Sequence, residues 1–169
     1  MDIMEAILSR RSVREYTSEP VGEAEIDQLL RAAMNAPSAG KERPWHFVVI
    51  RSRATLEEIA RFHPYAQMLH AAPAGVLVCA DTTLERQPGF WVQDCAAAAQ
   101  NIMLAAVAQG LGAVWVGMHP VADRVQSMRE LLNLPEPVIP LALVAVGHPA
   151  RETPRQDHYD TSRIHRERW

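Results

Sequence analysis

Apolar residues along this chain recur either every three to four positions or in short unbroken runs, and the alternation of the two patterns predicts its elements. Asp2 can cap an opening helix with Glu5 three residues on, and Ile3, Ile7 and Leu8 supply its expected buried stripe. After Pro20 and Gly22, "EAEIDQLLRAAMNA" carries Ile26, Leu29, Leu30 and Ala33 at helical spacing and stops before Pro37. "NAPSAGKERP" reads as a loop, "WHFVVI" as a buried strand, "ATLEEIARF" as a short helix, and "AGVLVCA", entered after Pro73, as a second strand. From Val92 to Gln109 the chain is alanine-rich and apolar nearly all round, which predicts a centrally buried helix ended by Gly110. "AVWVGM", "VADRVQSMRELLN" and "IPLALVAVG" follow as strand, helix and strand. About four strands and five helices predict an α/β-type sandwich, in an order that periodicity does not give.

The segment 148–169 breaks the pattern. It carries Arg151, Arg155, Arg163, Arg166 and Arg168, a composition compatible with a disordered end, yet Tyr159, Ile164 and Trp169 are spaced as apolar anchors. We read it as an arm that wraps over a surface, that of another subunit included.

Charge and composition narrow the functions available. The 169 residues fit one domain, which at this length buries roughly 70% of its unfolded surface. Lys and Arg number 17 against 20 Asp and Glu, a net charge of −3 that gives no support to nucleic-acid or polybasic membrane binding. No stretch reaches the ~20 apolar residues of a membrane helix, and no basic-then-apolar leader opens the chain. Cys79 and Cys95 lie in apolar stretches and are expected to be buried, reduced thiols, a usage that fits the cytoplasm.

The chain has no G-x-S-x-G elbow, no H-E-x-x-H and no C-x-x-C, so hydrolytic nucleophiles and zinc sites have no foothold, and no metal ligands are expected. "GLGAVW" lies after a helix and before a strand, the reverse of a dinucleotide-binding loop. What remains is anion chemistry. "RRSVREY" sets Arg10, Arg11, Ser12 and Arg14 just past the first helix, where guanidinium forks and a hydroxyl suit a phosphate and a polyol chain. The same charges also fit a solvated helix end that favours the helix dipole. In "PSAGKERPW", Pro37 fixes a turn, Ser38 can donate, and Gly40 permits close backbone approach to a flat ligand, though such loops also merely connect.

Taken in order, "RRSVREY", "APSAGKERPWHFVVI", "FWVQDCAAAAQNIMLAA", "GLGAVWVG" and "VGHP" resemble the nitroreductase family of FMN-dependent oxidoreductases in its short single-domain form, across essentially the whole chain. The resemblance implies an α+β fold with a mixed, mainly antiparallel sheet flanked by helices, a C-terminal arm, and an obligate homodimer with FMN at the subunit interface. It implies that Arg10, Ser12 and Arg14, with Arg11 beside them, bind the phosphate, ribityl chain and pyrimidine edge. Pro37, Ser38, Ala39 and Gly40 resemble the loop that a partner lays against the flavin ring, and Trp115, Val116, Gly117 and Met118 the strand end beside it. Arg155 resembles the basic residue that closes over the phosphate, with Arg151 and His158 as the other tail residues able to serve.

Many relatives carry Asn or Gln where this loop reads "GKER", so Lys41 or Arg43 would make those ring contacts here, or the contacts would be missing. The implied activity is NADH- or NADPH-driven reduction of nitroaromatics, quinones or similar small electron-poor acceptors by a ping-pong mechanism, with no side chain assigned as catalytic acid or base. Related flavoenzymes of the fold (dehalogenase, enoyl reductase, flavin breakdown) and a non-catalytic flavin binder are the alternatives. Phe90 and Trp91, at the start of the central helix, fit an aromatic slot or the core equally well.

Overall fold

The computed structural model describes residues 1–169. Strands β1 (Trp45–Ile50), β2 (Ala74–Asp81), β3 (Gly112–Gly117) and β4 (Val138–Gly147) form one sheet in the order β1-β2-β4-β3, and every adjacent pair is antiparallel. The one parallel pairing is an isolated bridge between Ser12 and Ala113. Five helices flank the sheet: α1 (Ile3–Ser9), α2 (Glu23–Met34), α3 (Arg53–Phe62), α4 (Trp91–Ala108) and α5 (Ala122–Leu132).

This corrects the α/β-type reading to α+β, for a definite reason. Successive residues of β2 enter opposite cores: Val76, Val78 and Ala80 pack with α2 and α4, whereas Leu77 and Cys79 pack with α3 and α5. A strand covered on both faces loses its polar alternation and reads as a continuous apolar run, which is the usual mark of a parallel strand. Pro140 lies in β4 opposite Cys79, where the β2–β4 register shifts, the irregular position at which a strand tolerates a missing N–H.

α4 is the central helix, with Cys95, Ala98, Ala99, Ile102 and Ala106 fully buried. Its alanines let it lie close to both the sheet and α2, and Asn101 Nδ2 donates to the Ala32 carbonyl of α2 at 2.9 Å. Across that contact Leu29 and Ile102 are wholly buried, each contributing about 1.5–3 kcal/mol. Cys79 and Cys95 are free and buried, as expected, and burial pushes both thiols up to about 12. No helix is long and apolar enough to cross a membrane.

The first helix departs from expectation. Asp2 does cap it, accepting from Met4 N at 2.8 Å, but Glu5 turns to Arg155 of the tail at 3.1 Å. Ile3, Ile7 and Leu8 are exposed together with Met4, and only Ala6 is buried within the chain. The period was legible, but this chain does not supply the surface that would cover it.

Candidate active site

The segment after α1 is held in place by backbone pairing. Val13 N donates to Ala113 O at 3.0 Å, Ala150 N to Glu15 O at 3.0 Å, and Thr17 N to His148 O at 2.9 Å, so residues 12–17 run between β3 and the end of β4. Two glycines make room for it. A Cβ at Gly112 would sit 2.7 Å from Val13 Cβ and Cγ1, and one at Gly147 would sit 2.8 Å from Tyr16 Cδ1. Tyr16 is buried there and its hydroxyl donates to Val13 O at 2.7 Å; that burial raises its pKa far above the ordinary range, against a smaller lowering by Arg14.

This docking brings four of the expected residues to one groove of about 980 Å³: Arg14 on one side, and Trp115, Val116 and Gly117 of β3 along its floor. Arg14 is exposed, and its guanidinium makes a single long bond, 3.5 Å to Ser12 O. Ser12 and Arg14 also border an adjoining hollow of about 430 Å³ with Arg151 and Thr153. The arrangement suits an elongated ligand, flat and conjugated at one end and anionic at the other.

Other expected residues lie elsewhere. Arg11 points to the tail, donating to Pro154 O at 3.1 Å and Gln156 O at 3.0 Å. Arg10 is half-buried, its carbonyl accepting from Arg11 Nη1 at 2.7 Å. Arg155 pairs with Glu5, and Arg151 with Glu15 at 2.5 Å. Met118 is wholly buried in the core, and its N–H is engaged by Leu141 O at 2.9 Å. Trp91 is also core, edge-on to His119, while Phe90 is exposed.

Pro37, Ser38, Ala39 and Gly40 do not line the groove. Their loop is fastened instead to α4, where Asp94 Oδ1 accepts from Ala39 N at 3.0 Å, and Ser38 Oγ accepts from Arg43 N at 3.0 Å. Lys41 and Arg43 are exposed with φ of 58° and 50°, the left-handed conformation that side chains disfavour. Asp94 Oδ2 and both carboxylate oxygens of Glu42 are buried without a hydrogen-bond partner in the chain.

The groove also recruits side chains that sequence reasoning passed over. His63, Tyr65 and Gln67 follow α3, and Arg124 comes from α5. Arg124 lies 5.5 Å from the centroid of the Tyr65 ring and donates to Gly117 O at 3.3 Å. The only local signal was "HPY" just past a helix end, too short to distinguish from a turn. No group of three or more His, Cys, Asp or Glu side chains is placed to hold a metal ion.

A family model described as the Nitroreductase family matches residues 7–63 and 62–148. A Methanothermobacter thermautotrophicus protein, provisionally named an NADH dehydrogenase/NAD(P)H nitroreductase, is 52% identical over 169 residues, covering 100% of this chain and 88% of that protein. A crystal structure of a Parabacteroides distasonis protein with the same provisional name matches with a TM-score of 0.95 at 40% identity, covering 99% of this chain and 98% of that one. A Desulfovibrio desulfuricans protein provisionally named a nitroreductase, solved in complex with FMN, matches with a TM-score of 0.85 at 29% identity over 100% of this chain and 98% of that one.

Proposed function

The chain belongs to the nitroreductase family, and from that premise we propose that it is an FMN-dependent oxidoreductase using NADH or NADPH to reduce nitroaromatics, quinones or similar electron-poor acceptors. The observation that carries this reading is the groove that sets the exposed Arg14 guanidinium, held only by one long bond, beside the Trp115–Gly117 strand end. Its donor set fits FMN. Arg14, Ser12 and Arg151, which border the groove and its adjoining hollow, would supply cations and a hydroxyl for the phosphate and ribityl chain; Arg10 and Arg155 lie outside both and would have to turn toward them. Trp115, Val116 and Gly117 offer a flat, mostly apolar floor for the ring.

When bound, FMN supplies hydride acceptance from the nicotinamide and electron delivery to the acceptor. The chain's part would be to orient the cofactor, to exclude water and to set the Arg14 cation along the groove, and no side chain is assigned as a catalytic acid or base.

The protein is a single domain over residues 1–169, acts in the cytoplasm, and forms a homodimer with the flavin at the interface. Support for the dimer comes from three places. Ile3, Met4, Ile7 and Leu8 expose an apolar face on α1, and Met34 of α2 is exposed as well. Residues 151–169 are exposed throughout, with Trp169 101% accessible, although Tyr159, Ile164 and Trp169 are spaced as anchors. The surface ion pairs of Arg151 and Arg155 are each worth about 0–1 kcal/mol, too little to fix the arm alone. The loop of Pro37, Ser38, Ala39 and Gly40, which does not line the groove of its own chain, would reach the flavin of the partner, where the buried orphan acceptors of Glu42 and of Asp94 on α4 would find donors.

Two measurements test the reading. Purified protein should take up FMN, and Arg14→Ala should bind it roughly 10- to 150-fold more weakly, the loss of one charge-assisted contact. Equal FMN affinity in the variant would return Arg14 to a solvated surface cation. Because one groove serves donor and acceptor in turn, double-reciprocal plots against NAD(P)H at several nitroaromatic concentrations should be parallel. Intersecting lines would require a ternary complex and a second site.

A further inference from the structure

The floor of the groove and its outer wall meet at one imidazole. His63, at the end of α3, is 1% exposed. Its Nε2 lies 2.8 Å from the carbonyl oxygen of Gly117, and its Nδ1 accepts from Tyr65 N at 3.2 Å. A carbonyl can only accept and a backbone N–H can only donate, so both bonds coexist only in the neutral ring carrying its proton on Nε2. Arg124 closes the set, donating to the same Gly117 carbonyl at 3.3 Å and lying over the Tyr65 ring. His63 thereby ties the turn after α3 to the end of β3, and Arg124 ties the start of α5 to both.

We propose that His63 is a positioning residue: its neutral Nε2–H form fixes Gly117 and the Tyr65 turn as floor and wall of the flavin groove, and a second proton on the ring releases that turn. The proposal deepens the flavin reading and, as to the ligand, rests on it. Protonation would place a hydrogen on Nδ1 facing the Tyr65 N–H, donor against donor, so the Tyr65 bond is lost while the Gly117 bond persists.

The charged and titratable groups around this ring are of both signs. From α5 it faces the Arg124 guanidinium; from its own turn, Tyr65; and from the segment after α1, Arg14, Glu15 and Tyr16 across the groove, while Arg61 in the last turn of α3 is exposed and paired with Glu58. The β3 end contributes only Trp115, Val116 and Gly117. Burial holds the pKa below the ordinary 6.5, the Gly117 carbonyl opposes this, and Arg124 lowers it further. A depressed histidine pKa means that the unfolded chain binds the proton more readily. The latch is therefore intact above pH 6.5 and is lost as the pH falls below that value through the folded pKa.

The test compares wild type with His63→Asn and His63→Gln. Asn keeps a non-titrating acceptor for Tyr65 N but cannot reach Gly117; Gln keeps a non-titrating donor for Gly117 but leaves Tyr65 N unpaired. Imidazole ¹⁵N shifts and Tyr65 amide exchange are followed in flavin-free and FMN-loaded protein, and FMN affinity is titrated from pH 8 to pH 5. The flavin phosphate titrates alike in all three proteins, so only differences between them read His63.

Wild type should show the Nε2–H tautomer at pH 8 and lose Tyr65 protection and FMN affinity together as the pH falls from 6.5 toward 5, by a factor that the ordinary histidine pKa of 6.5 caps at about thirtyfold at pH 5. His63→Asn should keep its Tyr65 protection at pH 5, whereas His63→Gln should lack it throughout. An Nδ1–H tautomer, or the same pH profile of Tyr65 exchange and FMN affinity in wild type and His63→Asn, would overturn the proposal. Failure of all three to bind FMN at any pH, with the Tyr65 exchange pattern as expected, would overturn the flavin reading while upholding the latch.

Discussion

Gly112→Ala is expected to unseat the arginine segment and to lower both stability and flavin affinity, although no charged group is touched. The added Cβ would meet Val13 Cβ and Cγ1 at 2.7 Å and Cγ2 at 3.0 Å. Val13 is β-branched and cannot swing aside, and its N–H is engaged by Ala113 O at 3.0 Å. The clash must therefore move backbone, and overpacking of this kind costs about 1–3 kcal/mol. At this chain length that is a fall in Tm of about 2–4 °C for each kcal/mol.

The functional consequence follows from the same geometry. Arg14 stands one residue past Val13, and a shift of an ångström there takes its guanidinium off the groove. FMN affinity should fall alongside Tm, and Val13→Gly in the same chain should restore part of the affinity. Thermal melting with FMN titration decides it: Gly112→Ala with wild-type Tm and wild-type Kd would show that the segment does not need this contact.

The second large effect is expected from charge placed on α1. Ile7 and Leu8 are exposed in the isolated chain, so Ile7→Asp should change the stability of a monomer by no more than about 0.5 kcal/mol. If the same face is buried between two chains, an uncompensated carboxylate there costs roughly 3–5 kcal/mol, or about two to four orders of magnitude in association. Wild type should sediment as twice 18.8 kDa at micromolar protein, and Ile7→Asp as a single chain with unchanged far-ultraviolet dichroism. Flavin should be released with dissociation, because a ligand held between subunits shares the concentration dependence of the dimer. A wild-type monomer that retains FMN at micromolar protein would contradict both the dimer and the interface site. A dimeric Ile7→Asp would place the interface on another face.

How much of this was legible differs from element to element. The buried helix read as Val92–Gln109 is α4, Trp91–Ala108, because an alanine-rich stretch apolar on all sides has no stable place except the centre of a core. The strands at 45, 74, 112 and 138 were likewise found from their apolar runs. Their antiparallel order was not, since an apolar run records only that both faces are covered.

In the groove, Arg14 was legible as part of a cationic cluster and Trp115, Val116 and Gly117 were reached through the resemblance, whereas His63, Tyr65, Gln67 and Arg124 were missed. Each of these is unremarkable within its own segment. The groove draws on residues near 14, 63, 115 and 124, which no local window contains together.

The amino-acid sequence by itself determined where helices and strands form and that a cationic segment follows α1, because periodicity, caps and composition act over a few residues. Tertiary structure decided that Gly112 and Gly147 admit that segment to the sheet, that Arg11 faces the tail while Arg14 faces the groove, and that the α1 stripe lies open. Those outcomes depend on distances between segments far apart in the chain, so close at Gly112 that an added Cβ would meet Val13 at 2.7 Å, and such distances exist only once the two cores have closed around the sheet.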